Sequence, residues 1–156
     1  MPSGWRIVKA RHAAAAFSGE GARLNGGGWN SPGVAMVYLS AHQSLAALEI
    51  FVHLRPLLPR DDYVIFAVEW ADGLTSSLNE RDLPADWRVS PPGPSTAAIG
   101  DEWAKSGRSA VLALPSAMIP AETNFLLNSA QRDFRRIKIG KAAPFLFDPR
   151  LIEMTR

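Results

Sequence analysis

Apolar and polar positions along the 156 residues change period several times, and each change predicts a different element. Trp5 to Ala10 reads as a short opening strand. Residues 18–33 carry six glycines with few apolar positions and predict a long loop, a length that usually serves function. Val34 to Leu39 predicts a second strand. Ser40 with Gln43 matches a capping box, so a helix is expected from there to about Leu54, where Pro56 stops it. On that helix Ala41, Leu45, Leu48 and Val52 share one face while Ala46, Ile50 and Leu54 widen it, which predicts a buried helix.

Tyr63 to Trp70 is β-branched and aromatic and predicts a strand. Residues 90–96, Ser-Pro-Pro-Gly-Pro-Ser-Thr, are expected to form no regular structure. A short helix is expected over Ala97 to Ser106 and a buried strand over Ala110 to Leu114, stopped by Pro115-Ser116. Arg135 to Ile139 and Pro144 to Phe147 supply late strand material. Many short strands with a few helices, without repeats or a break in composition, predict one α+β domain spanning residues 1–156.

Composition narrows the chemistry. Cysteine is absent, which excludes disulfides, thiolate metal sites and a cysteine nucleophile. The longest uncharged run, Leu24 to Leu48, is broken by glycines, Asn30, Pro32 and Gln43, whereas a membrane span needs ~20 mostly apolar residues. The first residues lack the basic and apolar regions of a signal peptide, so a cytoplasmic protein is expected. A net charge of +2 gives no field suited to nucleic acid. Of the 17 basic residues 13 are arginine, whose forked guanidinium suits phosphates and carboxylates. Arg132, Arg135 and Arg136 open a basic stretch near the end, either a solvated face or a surface for an acidic partner.

Five features bear on the chemistry. Gly26-Gly27-Gly28 could let backbone amides approach a phosphate, or form a plain turn; neither nucleotide-binding glycine signature is present. Glu49 is the only acid between Glu20 and Asp61 and sits at the border of an apolar helix face. It either pairs with His53 or an arginine, or is a ligand-gripping or catalytic carboxylate. Ser116 lacks a nucleophile elbow and a histidine partner, which leaves a ligand-bonding hydroxyl or a turn cap. The three histidines match no metal motif, and no metal site is expected. Tyr38, at the end of a strand, could equally be an interfacial core residue.

The order of these pieces resembles the RES-domain family, the toxins of RES–Xre toxin–antitoxin pairs. The resemblance rests on Trp5-Arg6, Gly19-Glu20-Gly21-Ala22-Arg23, the block from Gly26 to Gly33 with Trp29-Asn30, and Val37-Tyr38. It continues through Leu45 to Leu54 around Glu49, Leu114-Pro115-Ser116-Ala117, Asn124 to Asn128 and Phe147-Asp148-Pro149-Arg150. It implies a fold similar to ADP-ribosyltransferase toxins, with a split, twisted sheet around an NAD cleft. It further implies cleavage of NAD between nicotinamide and ribose, by degradation or by ADP-ribose transfer to a protein, without a metal. By resemblance, Glu49, Tyr38 and Ser116 are the catalytic set, and Arg6, Gly27, Gly28, Trp29 and Asn30 hold NAD. The implied partner is an Xre-family antitoxin covering the active site.

One departure stands out: the family reads Gly-Gly-Arg-Trp-Asn, and Gly28 occupies the arginine position. Glycine offers no guanidinium for the NAD phosphates. This implies either a naturally weakened or inactive copy or an introduced Arg→Gly change. The alternative function is a non-catalytic, antitoxin-binding member of the same fold.

Overall fold

The computed structural model describes residues 1–53 and 62–153. Its strands are β1 (Ser3–Lys9), β2 (Val37–Ser40), β3 (Tyr63–Glu69), β4 (Thr75–Ser77), β5 (Val111–Pro115), β6 (Thr123–Leu127), β7 (Lys138–Ile139) and β8 (Ala143–Phe145). Its α-helices are α1 (Glu20–Asn25), α2 (Gln43–Phe51), α3 (Pro94–Ser106) and α4 (Pro149–Glu153). The strands form one mixed sheet ordered β4-β5-β6-β2-β1-β3-β7, with β8 also paired to β3. Only β4 and β5 run parallel among these pairs. The fold is α+β.

The sheet is nearly parted at its middle. β1 pairs with β3 over seven residues and β2 with β6 over four, yet β1 and β2 meet at the single pair Trp5↔Ser40. Because side chains alternate along each strand, Trp5, Ile7, Tyr38, Ser40 and Asn124 all point to one face. On that face stand two separate apolar clusters. One holds Trp29, Met36, Trp87, Trp103, Leu112, Leu114 and Leu126; the other holds Ile7, Ala46, Tyr63 and Ile65 beneath α2. The opposite face carries the largest cluster, including Val37, Leu39, Phe66, Val68, Trp70 and Val111. The buried indoles of Trp70 and Trp103 keep their N–H groups bonded, to Thr75 Oγ1 and Ser109 Oγ, each at 2.8 Å.

Several expectations change. The predicted loop at 18–33 contains helix α1. The capping box does not form: His42 is the N-cap of α2, and Ser40, still paired in β2, donates its hydroxyl to Asn124. Leu54 and Pro56, the expected end of α2, lie outside the described residues. The helix is half-covered rather than buried, with Leu45 and Ala46 inside and Leu48 and Val52 exposed. Pro94 to Thr96 form the first turn of α3, because a proline at a helix start loses no hydrogen bond. Residues Arg132–Arg136 form a 3₁₀ turn, leaving only Lys138–Ile139 as strand. Strands β4 and β6 are additions to the predicted set.

Candidate active site

A cleft of about 750 Å³ opens on the face where the sheet parts. Arg6, Gly27, Gly28, Tyr38, Glu49 and Asn124 line it, together with Trp5, Ser40, Ile50 and His53. Its two walls are the glycine loop with Tyr38 on one side and α2 on the other.

Glu49 projects from the second turn of α2, half-buried. A carboxylate there loses water and is stabilised by donors aimed at it. Ser116 Oγ donates to Oε1 at 2.9 Å and Asn124 Nδ2 donates to the same oxygen at 2.8 Å. The second oxygen, Oε2, has no hydrogen bond among the described residues. Neither His53 nor an arginine pairs with Glu49 among them; Arg55 and Arg60 lie outside the described residues.

Ser116 is fully buried and does not line the cleft. The expectation that its hydroxyl meets a ligand therefore changes: its proton goes to Glu49. The reason is local, since Ser116 Oγ already accepts from Met118 N at 3.2 Å and Ile119 N at 3.3 Å. The hydroxyl is thus locked with its single hydrogen turned toward the carboxylate.

Arg6 crosses the gap between β1 and β2. Its Nε donates to Ala16 O at 2.6 Å and its Nη1 to Tyr38 O at 3.0 Å. Burial pushes the guanidinium down to about 10, so it remains a cation at neutral pH. Among the described residues no carboxylate pairs with it. A desolvated, unpaired cation on a cleft wall is a natural grip for an anion.

The glycine loop is built by contacts with its own interior. Tyr38 Oη donates to Asn30 Oδ1 at 2.5 Å and accepts from Trp29 N at 3.1 Å, and burial pushes its ionisation far up. Only the ring of Tyr38 is left to face the cleft. Asn30 also donates to Ala22 O at 2.8 Å and Val34 O at 2.9 Å. Trp29 and Asn30, expected to touch NAD, are both buried and do not line the cleft; they shape the loop instead. Thr96 Oγ1 donates to Gly28 O at 2.6 Å and Ser31 N to Asp101 Oδ1 at 2.9 Å, tying the loop to α3. At Gly100 of α3 a Cβ would fall 1.6 Å from Trp29 O, so only glycine permits this approach.

The adjacent glycines 27 and 28 differ. A Cβ at Gly27 would lie 2.6 Å from Tyr38 Oη and 2.9 Å from Asn30 Oδ1, so the position has no room for a side chain. At Gly28 a Cβ would meet only Pro92 Cγ, at 3.7 Å, which is ordinary contact. The backbone at position 28 does not require glycine. Gly27 N is bonded to Asn30 O at 3.0 Å, while the Gly28 N–H has no internal partner among the described residues.

The RES domain model matches residues 3–148, nearly the whole chain. The chain belongs to the RES domain family. It is 40% identical over 154 residues, 95% of each chain, to a protein of Sphingobium sp. named "Prs ADP-ribosylating toxin". It is also 37% identical over 148 residues, 94% of this chain and 97% of the other, to "Toxin Res" of Yersinia enterocolitica. A chain of the M. tuberculosis MbcT-MbcA toxin–antitoxin complex superposes with a TM-score of 0.76 at 16% identity. That match covers 99% of this chain and 88% of the other, which establishes a shared fold. Among the described residues of this RES domain no group of three potential metal ligands occurs, and no helix is long and apolar enough to cross a membrane.

Asn124 and Ser40 were missed as site residues. Asn124 lies in β6, an unpredicted strand; its signals are a lone amide in the segment Thr123–Leu127 and its place in the Asn124–Asn128 block that resembles the family.

Proposed function

We propose that this RES domain is the toxin half of a toxin–antitoxin pair and cleaves NAD at the bond between nicotinamide and ribose. The observation that carries the reading is the shared cleft: among the described residues, a carboxylate with one oxygen anchored and one oxygen free, and a buried cation without an acidic mate. The naming of the Sphingobium relative supports NAD as substrate and ADP-ribose as the transferred group.

In this reading the C1′–N bond of NAD breaks with its electron pair going to nicotinamide, which leaves as a neutral molecule. The ribose passes through an oxocarbenium-like state whose positive charge Glu49 stabilises. Water or a nucleophile on an acceptor protein then bonds C1′ and gives up its proton. The Tyr38 ring bounds the nicotinamide, while its hydroxyl holds the loop. Arg6, with the Gly28 N–H, grips the diphosphate. Ser116 acts through Glu49 rather than on NAD. No step calls for a metal.

The further elements of the proposal are a single domain acting in the cytoplasm and an Xre-family antitoxin seated over the cleft. The structural neighbour comes from a toxin–antitoxin complex, which supports a partner of that class. Gly28 lacks the guanidinium of the family pattern and weakens the grip on NAD. That same observation favours a second reading, a non-catalytic member that only binds its antitoxin.

Incubation with NAD, with nicotinamide release and modified protein both followed by mass spectrometry, tests the proposal. The unaltered chain is expected to act slowly and Gly28→Arg much faster, with Glu49→Gln abolishing the gain. A Gly28→Arg protein that leaves NAD intact and modifies no protein would leave the binding-module reading standing.

A further inference from the structure

Among the described residues Glu49 is held on one side only. Both of its donors, Ser116 Oγ and Asn124 Nδ2, converge on Oε1. Behind Asn124 stands Ser40, whose hydroxyl donates to Asn124 Oδ1 at 2.8 Å. Ser40 and Asn124 are directly opposed across β2 and β6, so the backbone itself fixes their spacing. The acceptor-only carboxylate of Glu49 sets which way the amide faces, and the bond from Ser40 holds it in that orientation. A reversed amide would turn its carbonyl oxygen toward the Glu49 carboxylate, acceptor against acceptor.

From this geometry we infer that Asn124, oriented by Ser40, is a positioning residue. With Ser116 it pins Oε1 and thereby presents Oε2 as the oxygen that meets the ribose. A helix side chain with several rotatable bonds is thus referenced to two strands, and little reorganisation remains when positive charge develops. The inference rests on the NAD-cleavage reading and deepens it by assigning roles to two residues outside the expected set.

The test is steady-state NAD cleavage by Asn124→Ala, Asn124→Asp, Ser40→Ala and Ser40→Ala/Asn124→Ala, each in the full chain carrying Gly28→Arg. Loss of a hydrogen bond to a charged group predicts a fall in kcat of roughly 10- to 100-fold for Asn124→Ala, with KM within about twofold. Asn124→Asp keeps the shape without the donor, and is expected to fall at least as far; it serves if the alanine variant does not fold. Ser40→Ala should lose less, about 3- to 10-fold, and the double variant should match Asn124→Ala alone, because Ser40 acts only through the amide.

The inference is overturned if kcat stays within twofold in the Asn124 variants. It is equally overturned if the loss appears in KM alone, which would make Asn124 a ligand contact, or if the Ser40 and Asn124 losses multiply. Glu49→Gln in the same background separates the two levels. If it cleaves NAD within tenfold of its parent, or if the Gly28→Arg parent cleaves none, the NAD reading fails and this inference with it. If Glu49→Gln falls more than tenfold while the Asn124 variants are unimpaired, only the positioning role is lost.

Discussion

The two walls of the cleft are built on opposite plans. The α2 wall presents Glu49 through side chains alone: Ser116 from beyond β5, Asn124 from β6 and, behind it, Ser40 from β2. It ends with one carboxylate oxygen unclaimed among the described residues. The loop wall is held by backbone and by close approach: Tyr38 and Asn30 bond inward, α3 clasps the loop, and Gly27 has no room for a side chain. Tyr38 and Asn30 spend their polar groups within the protein, and Gly28, which has room for a side chain, carries none. In the proposed reaction the α2 wall supplies the carboxylate for a cationic sugar, while the loop wall leaves the diphosphate to Arg6 and backbone amides.

Removing charge from the α2 wall should have the largest effect. Glu49→Gln keeps acceptors for Ser116 and Asn124 but not the negative charge. NAD cleavage in the Gly28→Arg protein is expected to drop about 10²- to 10³-fold with the melting temperature nearly unchanged. Nicotinamide release and a thermal melt, run together, check this; a drop below tenfold would break the contrast between the walls.

Adding charge to the loop wall comes next. Gly28→Arg adds charge-assisted bonds to phosphate worth about 1.5–3 kcal/mol, so NAD should bind roughly 10- to 100-fold more tightly in a calorimetric titration. The open surroundings of position 28 predict no cost in stability. One residue earlier the outcome reverses: Gly27→Ala forces a Cβ against the Tyr38 hydroxyl and should destabilise the fold by about 1–3 kcal/mol in urea unfolding. Equal behaviour of the two glycine variants would refute the distinction drawn between them.

The smallest effect is in pH. Burial lowers the Arg6 guanidinium to about 10, so its cationic grip should be constant from about pH 6 to 9 and fade as pH nears 10. The sign for stability is opposite. The unfolded chain holds this proton more firmly, so the cost of the buried cation is present below about pH 10 and is relieved as pH rises from there toward the ordinary arginine value. The rise in melting temperature given by saturating ADP-ribose, measured across pH, reads the first of these.

Much of this was legible in the chain. Strand β3 followed from its β-branched run, and Glu49 stood out as one acid on an apolar helix. Its surroundings were not legible, because Ser116 and Asn124 lie 67 and 75 residues away and β6 carries no turn signal of its own. Ser40 shows the same limit: its spacing to Gln43 satisfied a local capping rule, but a cross-strand partner 84 residues away took the hydroxyl. Trp29 and Asn30 were recognisable as a motif, yet nothing local distinguishes residues that touch a ligand from residues that shape the loop around it.

By itself the sequence determined the inventory: which side chains can carry charge, which segments can be strand or helix, and that position 28 lacks a guanidinium. Those are properties of residue type and short spacing, which no fold can alter. The tertiary structure alone decided which oxygen of Glu49 is held, that Ser116 serves the carboxylate rather than the cleft, and that Gly28 is open where Gly27 is closed. Such outcomes depend on hydrogen bonds and steric contacts between segments far apart in the chain, and they exist only once the parted sheet has set its two walls facing each other.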